Sequence, residues 1–347
     1  MIDFTNCPRK KKAYAGANGN KISILYQDEL YMLKFPAAST RNPENKYTNS
    51  CISEYIGCKI YESIGIPVQE VLLGTYAIEQ KETKIVVACK DFTQFGWMLQ
   101  DFASLKNQVI DSERNGYGTD LQDILYTFEQ QTALSAMSLQ ERFWDMFIVD
   151  ALIGNWDRHN GNWGFLYHMQ TDSIKLAPVY DCGSCLFPQA NEAMMQEVLQ
   201  NKGKLHDNVF NRPTSAIMQN GKRINYFQFI SSLENQDCNA ALERIYPKIC
   251  MGKIDKIIDE IPCISRTYQT FLKTILFARK DRILDFSYQK LQREKAQKAV
   301  QKQVDVQKKY APFSCAALQK SAQAIHENER QNLHEKEKSK TKNDISL

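Results

Sequence analysis

Alternating apolar and polar positions in the first quarter of the chain predict strands around a single helix. Apolar-rich runs at residues 21–26 and 30–35 flank three polar residues, a pattern typical of a β-hairpin. From about residue 50 to residue 63, isoleucines and a tyrosine recur at steps of three and four, which predicts a helix. Two further strands are predicted around residues 68–77 and 84–89. This part of the chain is therefore predicted to form a small, β-rich lobe.

The middle of the chain follows a helical period instead. A sequence with the form of a capping box begins at Ser138, and an apolar stripe then runs over residues 143–152 and stops at Gly154. Residues 163–167 and 173–177 form a second predicted hairpin, and helical segments dominate after it. This part of the chain is therefore predicted to form a second lobe that is larger and mostly helical.

The most informative polar segment lies where this long helix ends. It reads Gly154-Asn155-Trp156-Asp157-Arg158-His159-Asn160-Gly161-Asn162 and is followed by Ala177-Pro178-Val179-Tyr180-Asp181. An aspartate, an asparagine five residues later and a second aspartate further on match the base and the metal ligands of protein kinases. We therefore predict that Asp157 accepts the proton of an acceptor hydroxyl, and that Asn162 and Asp181 bind Mg²⁺.

The first lobe supplies candidates for binding the phosphates of ATP. Lys34 would project from the second strand of the first hairpin, and Glu54 on the following helix would orient it. The segment before the first strand could approach phosphates through its backbone N–H groups, and it comprises Gly16, Ala17, Asn18, Gly19, Asn20 and Lys21. Two glycines before a strand are usually only a turn, so this segment carries weight only together with the others.

These patterns together predict an α+β, bilobal protein-kinase-like fold. The predicted parts are an N-lobe over residues 1–92, a helical C-lobe over residues 93–290 and a tail over residues 291–347. The tail is rich in Lys, Gln, Glu and Ala with a thin apolar stripe, so a solvated helix and a disordered segment both remain open for it.

Composition and charge exclude several other classes of protein. The chain has 347 residues, of which 43% are hydrophobic, as expected of a packed globular protein. No apolar run approaches the roughly 18 residues of a membrane span, and no cleaved signal is recognisable. Residues 291–347 hold 12 Lys and Arg against 7 Asp and Glu, so the net charge of +4 resides in the tail.

The cysteines fit a reducing compartment. Ten of them are scattered without a spaced framework, which favours reduced thiols in a cytoplasmic protein. Cys182 and Cys185 form an isolated CxxC sequence, but no second pair or histidine doublet completes a zinc site. Two small thiols beside the metal-binding aspartate are the favoured interpretation, ahead of a metal or redox site.

The motifs resemble those of the HipA-type serine/threonine kinases. The resemblance rests on Asp157-Arg158-His159-x-x-Asn162, on Leu176-Ala177-Pro178-Val179-Tyr180-Asp181, on the Ala15-Gly16-Ala17 loop and on a lysine in the next hairpin. The catalytic loop is also similar to that of the phosphatidylinositol 3/4-kinases, which share the fold. The resemblance covers about residues 1–290. It implies a bacterial protein kinase that uses ATP and Mg²⁺, and it allows translocation into a host cell.

The resemblance also implies roles for individual residues. Asp157 would be the catalytic base, Asn162 and Asp181 the Mg²⁺ ligands and Lys34 the ATP-phosphate lysine. Backbone groups around Cys89, Lys90 and Phe92 would hold the adenine where the lobes meet. For His159, contact with a phosphate and bracing of the loop both remain open, and bracing is favoured.

The chain departs from the HipA pattern in two places. HipA proteins carry an N-terminal subdomain that engages a DNA-binding antitoxin, whereas the glycine loop here begins near residue 14, so a HipB-type partner is not expected. HipA proteins also carry a phosphorylatable serine just before the glycine, where this chain has Ala13, Tyr14 and Ala15. That inactivating switch is therefore not expected either.

Two alternatives remain beside the protein kinase. A lipid kinase would need cations after Asp181 to bind an anionic head group, but residues 182–201 contain no Lys or Arg. A pseudokinase or nucleic-acid-binding module would use the basic tail and the run from Arg9 to Lys12, but the tail's acidic residues dilute its charge. We therefore expect a serine/threonine kinase that acts on protein, including itself.

Overall fold

The structure is a computed structural model, and the chain divides into two compact units. It describes residues 1–14, 21–36, 48–77, 82–110, 115–310 and 315–343. The first unit is Met1–Gln289 and the second is Lys290–Leu347. The glycine-containing residues 16–20, which the sequence assigns to phosphate binding, lie outside the described residues.

A six-stranded sheet forms the start of the first unit. Its strands are β1 (Ile2–Asp3), β2 (Arg9–Lys10), β3 (Lys21–Tyr26), β4 (Glu29–Lys34), β5 (Val71–Ala77) and β6 (Thr83–Lys90). Their order is β1-β5-β6-β4-β3-β2, and only the β1–β5 pair is parallel. The predicted hairpin is β3–β4, and its register places Lys21 opposite Lys34. Two cations of the N-lobe are thereby fixed side by side.

The predicted first helix is observed as α1 (Ser50–Ile64). Its isoleucines form a buried face, and the helix packs against β5 and β6. Gly65 ends it in the left-handed conformation at φ 83°, which glycine adopts without a steric penalty. Glu54 lies on the buried side of this helix, directed towards the sheet that carries Lys34.

A second sheet begins the C-lobe. It contains β7 (Trp97–Asp101), β8 (Gly164–His168) and β9 (Ser173–Leu176), all antiparallel. The hairpin β8–β9 is the one predicted from the sequence. Strand β7 was not predicted, because its residues are mostly exposed and show no apolar alternation.

Helices make up most of the remainder of the first unit. They are α2 (Phe102–Val109), α3 (Leu121–Gln130), α4 (Ala136–Ile153), α5 (Glu192–Gln200), α6 (Lys202–His206), α7 (Tyr226–Ser232), α8 (Gln236–Ile245), α9 (Met251–Asp259) and α10 (Arg266–Arg279). A short hairpin of β10 (Met218–Gln219) and β11 (Lys222–Arg223) precedes α7. Helix α4 ends at Gly154 as predicted, but its N-cap is Ser135 and not Ser138, because the Ser135 hydroxyl accepts the Ser138 N–H.

The segment before Asp181 joins the two lobes. Val179 donates its N–H to the Pro67 carbonyl and accepts the Gln69 N–H, both at 2.8 Å. These bonds form a short parallel bridge between Val68 and Val179. Asp181 therefore belongs to the C-lobe by sequence, but its backbone is anchored beside the N-lobe sheet.

The second unit consists of charged helices. Most of α11 (Phe286–Tyr310) and all of α12 (Cys315–Asn343) belong to it. Of the two alternatives for the tail, the structure shows the helical one in the residues that it describes. Within those residues every helix is too short or too polar to cross a lipid bilayer.

Candidate active site

Lys34, Glu54 and Asp181 meet in one ion cluster. The Lys34 Nζ lies 3.1 Å from Glu54 Oε2 and 2.8 Å from Asp181 Oδ1. Burial opposes the charge of Lys34, but attraction to Asp181 and Glu54 outweighs it and raises the lysine pKa well above its usual value. The sequence therefore named three residues that the fold brings together from β4, α1 and the loop after β9.

The charge of Asp181 is stabilised by the cations around it. Attraction to Lys34 lowers the pKa of Asp181 to about 2 against the cost of burial, and Lys21 adds a smaller attraction. Burial and the neighbouring Lys34 lower the pKa of Lys21. Asp181 therefore stays ionised at every physiological pH. This side of the site combines two cations with a permanent anion, as phosphate and metal binding require.

A buried ion pair shapes the loop that carries Asp157. Arg158 donates from Nε to Asp150 Oδ2 at 3.1 Å, and both side chains are almost fully buried. The same arginine donates to the carbonyls of Asn162, at 2.8 Å, and Tyr180. The first carbonyl belongs to the loop of Asp157 and the second to the segment before Asp181. One guanidinium therefore holds this loop and this segment in fixed relative positions.

Asp157 occupies a different environment from Asp181. Burial raises its pKa above the usual value, and repulsion from Asp181 adds to this, while His159 and Arg223 act in the opposite direction. Its nearest side-chain donor is the Ser184 hydroxyl, at 3.5 Å from Oδ2. No lysine or arginine in the described residues forms an ion pair with it. Its carboxylate is therefore a better proton acceptor than an exposed aspartate.

The two predicted metal ligands have suitable chemistry. Asn162 donates its amide Nδ2 to the Asp157 carbonyl at 2.7 Å, which leaves the amide oxygen to face a metal. Asp181 contributes an ionised carboxylate. Amide and carboxylate oxygens, with water and phosphate, are the ligands that Mg²⁺ prefers, so these residues fit the ion. No cluster of three or more His, Cys, Asp or Glu suited to a metal occurs among the described residues.

His159 and its neighbours brace the loop. The His159 Nδ1 accepts the Gly161 N–H at 3.0 Å, and the ring lies edge-on to Tyr117. Asn160 donates to the carbonyls of Gly116 and Gly118 at 2.9 and 2.8 Å. Of the two roles left open for His159, this geometry favours bracing, and contact with a phosphate stays a prediction.

The segment predicted to hold adenine is partly engaged within the protein. Cys89 is buried in β6, the Lys90 N–H donates to Glu70, and the Lys90 carbonyl accepts from Gln69. The Phe92 ring packs against Tyr180 with centroids 5.9 Å apart. The backbone of Lys90 is therefore already hydrogen-bonded and can contribute little to adenine binding. For Cys89 and Phe92, a part in adenine binding stays a prediction.

The basic N-terminal run is used in contacts within the lobe. Lys12 lies 2.6 Å from the buried Asp91 carboxylate, and Arg9 donates to the Tyr76 hydroxyl at 2.5 Å. These contacts occupy two of the four consecutive cations. The nucleic-acid interpretation of this run is correspondingly weaker.

The CxxC sequence is part of the packing under the site. Cys182 and Cys185 are both fully buried, and no disulfide joins the cysteines that the structure describes. A Cβ on Gly57 of α1 would lie 2.7 Å from Cys182 Cβ, so glycine is needed there for helix α1 to approach this turn. The small thiols therefore allow α1, with Glu54, to pack closely against the Asp181 segment.

Three contributors to the site were missed from the sequence. Asp150 had a detectable signal, because a carboxylate on the apolar stripe of α4 needs a buried cation, and Arg158 follows within the same motif. Ser184 and Arg223 had none. Arg223 reaches the loop from β11 and donates to the Trp156 carbonyl at 3.0 Å. Only the folded chain brings that residue, far along the sequence, next to Asp157.

Comparisons with known proteins agree with this geometry. A family model described as the HipA-like C-terminal domain matches residues 12–255. The serine/threonine-protein kinase CtkA of Helicobacter pylori (strain J99) is 48% identical over 289 residues, which cover 83% of this chain and 87% of that protein. A crystal structure of the Helicobacter pylori proinflammatory kinase CtkA matches with a TM-score of 0.79 at 47% identity, over 84% of this chain and 97% of that one. The predicted fold, with a β-rich first lobe and a helical second one, is confirmed.

Proposed function

Because this chain belongs to the HipA-like kinase family, we propose that it is a serine/threonine protein kinase that transfers the γ-phosphate of ATP to protein hydroxyls. The observation that carries the proposal is the ion cluster of Lys34, Glu54 and Asp181 beside the loop of Asp157. A cation fixed between two carboxylates and a separate, weakly solvated carboxylate are the two elements that phosphoryl transfer requires.

The donor half of the site binds and orients ATP. Lys34 and Lys21 neutralise phosphate oxygens, and Glu54 prevents the Lys34 side chain from adopting other rotamers. Mg²⁺, held by Asn162 and Asp181, would neutralise charge on the β- and γ-phosphates. Backbone N–H groups of residues 16–20 would approach the phosphates closely, which stays a prediction from the sequence.

The acceptor half takes up the proton. Asp157 is partly withdrawn from water, so its carboxylate has a raised proton affinity. The hydroxyl of a substrate serine or threonine donates its proton to Asp157 as its oxygen attacks the γ-phosphorus, and the bond from that phosphorus to the β-phosphate oxygen breaks to release ADP. Arg158 keeps the loop in place through Asp150, so the base does not need to be reoriented during the reaction.

A protein substrate is favoured over a phosphoinositide. The segment that follows Asp181 continues into α5, whose first turn is acidic at Glu192. Residues 182–201 contain no Lys or Arg, so this surface lacks the cation cluster that binds a multiply charged head group. The proposal includes autophosphorylation, because serines and threonines on a second copy of the chain are chemically equivalent acceptors.

The test is transfer of labelled phosphate from ATP in the presence of Mg²⁺. Wild-type protein is expected to label itself and a generic protein substrate, and Asp157→Asn protein is the matched inactive control. Mass spectrometry should locate the phosphate on serine or threonine. Labelling of phosphoinositide vesicles without protein labelling would establish the lipid kinase instead, and no labelling of either would establish a pseudokinase.

A further inference from the structure

The hairpin that carries Arg223 is held rigidly against the C-lobe. Its tight turn contains Asn220 and Gly221, both with positive φ, which matches the twist of two antiparallel strands. Met218 donates its N–H to the Thr119 carbonyl at 2.8 Å, and Ile224, just after β11, is buried. Although Arg223 is exposed, its backbone is therefore fixed.

Arg223 is one of two donors to consecutive carbonyls of the catalytic loop. The Tyr226 hydroxyl donates to the Asn155 carbonyl at 2.5 Å, and Arg223 Nη1 donates to the Trp156 carbonyl at 3.0 Å. Asp157 is the next residue in the loop. The guanidinium therefore lies close to the position where an acceptor hydroxyl would contact Asp157.

Most of the hydrogen-bonding capacity of Arg223 is unused among the residues that the structure describes. A guanidinium has five N–H donors in a fixed planar fork, and one of them serves the Trp156 carbonyl. In the part of the chain that the structure describes, no carboxylate lies within ion-pair distance of Arg223. Its field nevertheless reaches the active site, because attraction to Arg223 counteracts the raised pKa of Asp157.

The position of this cation separates it from ATP binding. The donor phosphates are assigned to Lys21 and Lys34, on the N-lobe side of Asp181. Arg223 is instead hydrogen-bonded to the C-lobe residue before Asp157. A planar fork of donors at that position matches a carboxylate of the incoming substrate in shape and charge.

We propose that Arg223 is a specificity-determining residue that binds an Asp or Glu side chain close to the acceptor serine or threonine of a protein substrate. The proposal rests on the proposed protein-kinase function and adds the kind of sequence that the kinase selects. Arg223 thereby contributes to the choice of substrate, while Asp157 performs the proton transfer.

Synthetic peptides provide the experiment. Each peptide has one serine in a neutral background, with a single Glu placed in turn at each of the three positions on either side, and a Gln analogue of each serves as reference. For at least one position, full-length wild-type protein is expected to show a Glu-to-Gln ratio of kcat/KM of about threefold to tenfold. That ratio should fall as salt is added, because the contact is near the surface.

Three variants of Arg223 and one control isolate the charge. Arg223→Gln is neutral and its side chain is shorter, so its ratio is expected to fall to about one, whereas Arg223→Lys should retain part of it. Arg223→Glu should reverse the preference towards a Lys-containing peptide. Lys222→Gln is the control, because neighbouring residues of a strand point to opposite faces, and its ratio should equal that of wild type.

The outcomes separate this proposal from the proposed function. A wild-type ratio of one at every position would refute the role of Arg223 while leaving the kinase assignment intact. An equal loss of kcat/KM on all peptides in Arg223→Gln would also refute it, since that result indicates only loop support or phosphate binding. Absence of phosphate transfer by wild-type protein to itself, to a protein substrate and to every peptide would instead refute the kinase assignment.

Discussion

Two aspartates of the same site, Asp181 and Asp157, differ in what surrounds them. Asp181 contacts Lys34 directly, and its pKa is lowered to about 2. Asp157 has no lysine or arginine in ion-pair contact among the described residues, and burial raises its pKa. One carboxylate is kept as a permanent charge, and the other has the raised proton affinity that its proposed role as the base requires. The environment, not the residue type, assigns the two roles.

The difference has opposite consequences for folding. An acid whose pKa is raised in the folded state is less stable there as an anion than in the unfolded chain, so the ionised Asp157 opposes folding near neutral pH. An acid whose pKa is lowered stabilises the fold above its unfolded pKa of about 3.8, and this stabilisation is lost as the pH falls towards 2. The ionised carboxylate of the proposed acceptor half thus lowers the stability of the fold near neutral pH, whereas that of the donor half raises it.

The largest expected effect is that of Asp157→Asn on catalysis. Removal of a general base is expected to lower kcat by about 10²- to 10⁴-fold. The thermal unfolding midpoint should be equal to or higher than that of wild type, because an anion withdrawn from water is removed. Phosphate transfer and calorimetry on the same preparation would measure both quantities. A clear fall in the unfolding midpoint would contradict the comparison.

Lys34→Met is expected to have the next largest effect, on stability as well as activity. It leaves the buried Glu54 carboxylate without its cation, which should lower the free energy of unfolding by about 3 kcal/mol. Adding Glu54→Gln should recover much of that loss without restoring phosphate transfer. Chemical denaturation of both variants is the measurement.

A neighbouring ion pair offers the control for Lys34. Lys59 Nζ and Glu62 Oε2 lie 2.7 Å apart on α1, the helix that also carries Glu54, but the Glu62 side chain is 60% exposed. Lys59→Met is therefore expected to cost less than about 1 kcal/mol. Equal losses in Lys34→Met and Lys59→Met would show that the burial of Glu54 does not raise the cost of removing its cation.

A smaller effect is expected for the pH dependence of unfolding in Asp181→Asn. The Asp181 side chain is 44% exposed, so its attraction to Lys34 is screened and contributes about 1 kcal/mol at most. Wild type should exceed the variant in stability above pH 4, and the difference should vanish as the pH approaches 2. A difference that is independent of pH would mean that the charge of Asp181 is not the cause.

The smallest effect is expected from deleting residues 291–347. The first unit ends at Gln289 and contains every described residue assigned to the site. Phosphate transfer by the truncated protein should therefore remain essentially unchanged, and any affinity for nucleic acid should disappear. Loss of transfer with an intact unfolding transition would assign the tail a part in catalysis.

Local pattern explains which parts of the fold could be predicted. Apolar residues recur at about every second position in the β3–β4 hairpin and at every third or fourth position in α1. Each element therefore reveals its buried face within a short stretch of sequence. Strand β7 shows no such alternation, since it is held by pairing with β8 rather than by its own apolar face. The family could also be predicted from the motif around Asp157 and Asp181, and the comparison with CtkA confirms it.

The candidate site was predictable where its residues lie in a recognisable motif or on a predicted element, as Lys34 does on the first hairpin and Glu54 on the first helix. Asp157 and Asn162 are five residues apart, whereas Arg223 reaches them through a hairpin whose position depends on Thr119 and Tyr226. Nothing in the sequence indicates that the Arg223 hairpin packs next to this loop. The N-cap of α4 was misassigned for a related reason, because Ser138 has the Glu of a capping box three residues later and only the backbone geometry shows that Ser135 caps the helix.

The short bridge at Val179 has a mechanical consequence. This residue is hydrogen-bonded to Pro67 and Gln69 in the N-lobe, and the next carbonyl, that of Tyr180, accepts from Arg158 in the C-lobe. The backbone just before Asp181 is therefore tied to both lobes at once. Any change in the angle between the lobes would reach Asp181 directly through these two residues, so the position of its carboxylate depends on how the lobes are set.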